Sequence, residues 1–179
     1  LRTRLSAAYK GVHALLMRDG AEDFVSGEPF ERQAYFNDRV DIHHIFPKAW
    51  CTKAGIDRSR YDSIVNKTPL SAETNRAVGG RAPSDYLSTV KKKGCVDDAR
   101  IDQILRTHVI DPEALRADDF ERFFESRRQA LLDRIAAAMG KPLLVEQQEG
   151  PPAPEEEEVA EIDDVLELAE AAELEEATA

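Results

Sequence analysis

Val40-Asp41-Ile42-His43-His44-Ile45-Phe46-Pro47 is the stretch on which the reading of this 179-residue chain turns. Residues 40–45 form a short β-prone run, and Pro47, which has no amide hydrogen for a ladder, ends it. Neighbours on a strand point to opposite faces, so His43 and His44 can serve one site only where the strand stops. There one imidazole can bind a metal while the next takes a proton. An unperturbed imidazole pKa of roughly 6.5 suits either task. Asp41 shares the face of His43 by two-residue alternation, as a second ligand or as a carboxylate that orients an imidazole.

Working outward, a second strand is read at Ser63–Leu70, through Ile64, Val65 and Thr68, and it carries Asn66. Ser71 offers an N-cap to a helix that Gly79-Gly80 stops, and this helix carries Asn75. A carboxamide oxygen is a hard neutral ligand acceptable to Mg²⁺. Upstream, Leu1, Leu5, Ala8, Val12, Leu15 and Leu16 recur at helical spacing, predicting a helix over residues 1–18 closed near Gly20. Gly27 and Pro29 mark turns in the looser stretch that follows. Pro47 can open a short helix to Ala54, stopped by Gly55. Ser84 is expected to cap a helix through Lys92, Asp97 or Asp98 another to about Thr107, and Asp111-Pro112 a third. A long amphipathic helix over about 118–139 presents Phe120, Phe123, Phe124, Leu131, Ile135 and Ala138. His13 and His108 read as structural or surface histidines.

The formal net charge of -11 is an average over two unlike regions. Residues 146–179 hold 14 acids and no base, whereas residues 1–145 hold 21 acids and 24 bases. Residues 48–93 alone carry ten bases against four acids, the footprint of a polyanion binder or of an ordinary solvated surface. Pro151, Pro152 and Pro154 lead into the acidic tail, which reads as a disordered solubilising extension or as a helix lying over the basic body. No window approaches 18 uninterrupted apolar residues, so no membrane span is expected. Cys51 and Cys95 form no CxxC pair, which fits a reducing cytoplasm and disfavours a zinc site built on His43, His44 and both cysteines. The first residue is Leu1 and no leader follows it, which reads as part of a longer protein.

Asp41-Ile42-His43-His44-Ile45-Phe46-Pro47, then Asp62-Ser63-Ile64-Val65-Asn66-Lys67, then Asn75-Arg76, resembles the ββα-metal fold of HNH endonucleases. The last two portions also look like the nuclease domain that cuts the target strand in CRISPR effectors. A resemblance covering residues 8–87 is to the C-terminal nuclease half of GmrSD-type modification-dependent restriction proteins. It rests on His43–Lys48, Asn66-Lys67-Thr68-Pro69-Leu70 and Gly80-Arg81-Ala82-Pro83-Ser84-Asp85-Tyr86-Leu87.

The resemblance implies an α+β fold: a ββα-metal HNH core at about 38–80 and helical support at 84–140. Together they make a nuclease domain over 1–145, followed by a Pro/Glu-rich tail over 146–179. It implies a metal-dependent DNA endonuclease of bacterial phage defence, with His44 as general base. His43 and Asn75 would hold one divalent ion, with Asp41 as a further ligand. Mg²⁺ is the leading candidate, and the His43 nitrogen widens tolerance towards Mn²⁺, Ni²⁺ or Zn²⁺. Asn66 would hold the catalytic loop, while Lys48, Lys67, Arg76 and Arg81 would meet DNA phosphates. An N-terminal ParB-like half that handles nucleotide and senses modified DNA would be the missing partner. The alternative is a catalytically weak module of the same fold that holds DNA for a partner.

Overall fold

The structure is a computed structural model that describes residues 7–30 and 40–140. The chain divides into units Leu1–Leu143 and Leu144–Ala179. The acidic tail, and the expectations placed on Leu1 and Leu5, lie outside the described residues. What is described is mixed α and β: many helices around one small antiparallel sheet.

Helix α1, Ala7–Arg18, leads to a loop closed by a bridge between Glu22 and Pro29. Strand β1, Val40–His44, pairs antiparallel with β2, Lys67–Ser71, in the register Val40 to Ser71, His43 to Thr68 and His44 to Lys67. Two short helices fill the connection: α2, Lys48–Lys53, behind Pro47, and α3, Arg58–Tyr61. Asp57 caps α3 by accepting from the Ser59 amide, a helix start that the sequence patterns above do not mark. After β2, Ser71 accepts from the Thr74 amide and starts α4, Ala72–Val78, which ends at Gly79. Gly79 has φ of +54°, a left-handed value that suits glycine. The order is strand, loop, strand, helix.

Two boundaries differ from those expected of the sequence. Ile64–Asn66 is a 3₁₀ turn, so β2 begins only at Lys67. The β-prone Ile64 and Val65 are buried in an apolar cluster, and Asn66 must bend the chain so that its side chain can reach Phe46. Helix α5, Pro83–Gly94, has Ala82 at its cap and Pro83 at its first position. Ser84 sits inside the first turn, where its amide and hydroxyl both donate to Asp118.

Helices α6, Asp98–Thr107, α7, Pro112–Arg116, and α8, Phe120–Met139, are capped by Asp97, Asp111 and Asp119, each accepting a backbone amide. One core cluster joins Phe46, Leu70, Val78, Tyr86, Ile104, Leu115 and Phe123. A second gathers Tyr9, Val12, Leu16, Phe30, Val65 and Leu131. The face of α8 departs from expectation: Phe120, Phe123 and Leu131 are buried, Ala138 is exposed, and Arg127 is fully buried.

Candidate active site

β1 ends at His44, and the two residues beyond it are held on every backbone polar group. The Ile45 amide donates to the Asn66 carbonyl at 2.8 Å, and the Ile45 carbonyl accepts from the Tyr86 hydroxyl at 2.9 Å. The Phe46 amide donates to Asn66 Oδ1, and Asn66 Nδ2 donates back to the Phe46 carbonyl, both at 2.9 Å. The second Nδ2 hydrogen goes to the Tyr61 carbonyl, also at 2.9 Å. Asn66 is wholly buried and uses both amide hydrogens, so this clasp has one geometry rather than several. Below it, the Phe46 ring packs among Trp50, Phe120 and Phe123 at centroid distances of 5.2, 5.3 and 4.8 Å.

His44 is half-buried, and its Nε2 lies 3.3 Å from Asp62 Oδ1. Burial pushes the Asp62 carboxyl up, but hydrogen bonds from His44 and Lys67, and their charge, outweigh it and hold it far below the usual carboxylate range. An ionised carboxylate only accepts, so the His44 nitrogen that faces it, Nε2, carries a hydrogen. Lys67 Nζ approaches the same Oδ1 at 2.6 Å, which the register explains: Lys67 stands opposite His44 on one face of the sheet. Asp62 belongs to the quoted motif, but its role is visible only once the register is known.

His43 is half-buried and stands opposite Thr68, on the face that also bears the fully buried Leu70. Adjacent residues of a strand leave it on opposite faces, but β1 ends at His44, the position where the two histidines can serve one site. Asp41 stands opposite Leu70 in the register. Asn75, half-buried, lies on α4, which packs against β1 as well as β2. Among the described residues no group of three or more His, Cys, Asp and Glu converges as a metal cage. The donors at hand, one imidazole and one neutral carboxamide, fit a divalent ion that keeps several waters and takes substrate oxygens.

The basic residues separate into two kinds. Lys67 is buried and committed to Asp62, and Arg81 donates to Thr89 and the Ala77 carbonyl, so both serve neighbours within the fold. Lys48 is half-buried at the start of α2, and Arg76 is exposed one residue beyond Asn75. The other two described histidines are buried. His108 Nδ1 lies 2.6 Å from Thr68 Oγ1 and its Nε2 2.7 Å from the Glu22 carbonyl. Burial pulls its pKa down to about 4, so it is a neutral structural group at neutral pH. Burial pushes the Cys51 thiol up to about 12, which leaves no nucleophile there.

Comparison with known proteins gives little beyond this geometry. The chain is 30% identical over 151 residues to a protein of Methanocaldococcus jannaschii described only as uncharacterized. The match covers 73% of this chain and spans a quarter, 25%, of that protein's length. No family model matches the chain, and no solved structure matches it. Among the described residues, no helix is long and apolar enough to cross a membrane.

Proposed function

We propose that this chain is a metal-dependent endonuclease domain of the HNH, ββα-metal kind that hydrolyses DNA phosphodiester bonds. The observation that carries the reading is the Asn66 clasp. A buried carboxamide fixes the backbone two residues past a histidine that a carboxylate anchors, within a strand–loop–strand–helix order.

His44 Nδ1 takes the proton of the attacking water, and Asp62 fixes the tautomer and stabilises the imidazolium that forms. Asn66 and Tyr86 keep the loop from shifting as the charge on His44 changes. Burial holds the Tyr86 hydroxyl protonated far above its usual range, so it remains a donor throughout. His43 and Asn75 would hold the divalent ion, Mg²⁺ first and Mn²⁺, Ni²⁺ or Zn²⁺ as substitutes, and it would supply charge stabilisation at the phosphate and the leaving 3′ oxygen. Arg76, exposed on α4, and Lys48 would meet neighbouring phosphates.

The relative is some four times longer than the matched stretch, which leaves room in such proteins for the ParB-like sensing half that the resemblance implies. The domain would then be the cutting part of a cytoplasmic phage-defence protein. The test is nicking of supercoiled plasmid in Mg²⁺ or Mn²⁺ against EDTA, followed by resealing with DNA ligase. Metal-dependent nicks that reseal are expected, because hydrolysis with a 3′ oxygen leaving gives a 3′ hydroxyl and a 5′ phosphate. DNA binding without any metal-dependent nicking would instead support the non-cutting module.

A further inference from the structure

The long helix α8 lies outside every motif in the chain, yet one of its faces reaches both halves of the Asn66 clasp. Phe120 and Phe123 hold the Phe46 ring. Arg127, four residues beyond Phe123 on the same face, is fully buried. Its Nη1 donates to the carbonyls of Val65 and Lys67, the residues on either side of Asn66, the latter at 3.0 Å. Its Nε donates to the His108 carbonyl at 3.1 Å. Nη2 has no partner among the described residues.

This is a costly arrangement for stability alone. No carboxylate among the described residues meets the guanidinium, and burial pulls its pKa down to about 9. A leucine in its place would continue the apolar stripe to Leu131. What arginine provides, and leucine does not, is a rigid planar group whose Nη1 and Nε fix the Val65, Lys67 and His108 carbonyls relative to one another. The first two of these flank the residue that sets the position of the loop after His44.

We propose that Arg127 is a positioning residue for His44, acting through Val65 and Lys67 on the Asn66 clasp, with α8 as the brace. The inference rests on the nuclease reading for its kinetic consequence, but not for its structural one. Arg127→Met removes the guanidinium and keeps an unbranched apolar side chain. Arg127→Lys keeps a cation with less of the geometry. Ile101→Ala, on α6 and in the same core cluster as Phe46 and Phe123, is the control that loosens that core without removing a hydrogen bond.

The first readout is NMR, on the Asn66 side-chain amide pair and the ring chemical shifts of His44, in variants shown to be folded. Arg127→Met is expected to move both, Arg127→Lys to move them less, and Ile101→Ala to leave them at their wild-type positions. The second readout is single-turnover nicking. Arg127→Met should lower the rate about 100-fold with DNA affinity little changed, because a small displacement of a reacting group has that effect. Partial recovery should appear in Arg127→Lys.

Wild-type Asn66 and His44 signals in folded Arg127→Met would overturn the proposal and leave Arg127 a packing residue. So would equal displacement by Ile101→Ala. If Arg127→Met does not fold, unchanged signals in Arg127→Lys overturn it in the same way. Displaced signals in a wild-type background that never cuts DNA would uphold the brace and sink the nuclease reading, so the two failures are distinct.

Discussion

Asn66 and Arg127 are both buried, both polar, and both fixed to the same few residues, but they solve the problem of burial differently. Asn66 is neutral and places its oxygen and both amide hydrogens on backbone partners. Arg127 is a cation that reaches three carbonyls and leaves one nitrogen over. The two halves of the loop draw their order from different sources. The clasp is a local, fully satisfied unit between the two strands. The brace is a long-range one, and the desolvated charge in it is retained for geometry.

The hardest blow to the comparison is Asn66→Ala. It strands the Phe46 amide and the Tyr61 carbonyl and leaves the Phe46 carbonyl only the weak Cys51 thiol donor, and each buried orphan costs about 1–3 kcal/mol. A loss of about 4 kcal/mol in urea unfolding is expected, with the chain at the edge of folding. A loss below about 1 kcal/mol would mean that the clasp is not the organising unit.

The Arg127 side of the comparison carries a pH handle through His108, whose carbonyl it binds. The folded-state pKa of His108, about 4, lies below its ordinary value of 6.5, so the unfolded chain binds the proton more readily. Stability from this group is therefore full above about pH 6.5 and is lost as pH falls towards 4. Between pH 7 and 4.5, where most carboxylates stay ionised, the loss should be about 2 kcal/mol. Thermal or urea unfolding across that range checks it, and His108→Gln should flatten the slope.

Asp62→Asn leaves both anchors intact, releases the His44 ring and removes the charge that Lys67 pairs with. Asp62 is about one-third exposed but Lys67 is buried, so stability should fall by about 1 kcal/mol. The nicking rate should fall about 10–100-fold, as when a partner that orients a working imidazole is removed. The pH–rate profile should shift with it, because the tautomer is no longer imposed. Arg76→Ala, on the exposed side of α4, is the smallest effect expected. It should weaken DNA binding alike for all sequences and lower the salt slope by about 1.

Much of the clasp was legible in the sequence and little of the brace was. The adjacent histidines before Pro47 marked the end of a strand, and Ser71 with Gly79 bounded α4 from both sides. The position of Asn66 was legible but its backbone was not. Ile64 and Val65 look like a strand, and only the partners across the loop turn them into a 3₁₀ bend. Asp62 carried no label of its own, because pairing with His44 depends on the register with Lys67. Arg127 was invisible for a simple reason. An arginine between Ser126 and Arg128 on an amphipathic helix reads as solvent-facing, and nothing local says that three carbonyls from other elements converge on it.

The measurement that tests the account most directly is plasmid nicking in Mg²⁺ or Mn²⁺ by wild type, His44→Ala and His43→Ala side by side. His44→Ala should lose about 10²–10⁴-fold in rate at every metal concentration, as expected for a missing general base. His43→Ala should be restored in part by added metal. Equal rates in wild type and His44→Ala would contradict the general-base role, since no other group of the described site is placed to take the proton.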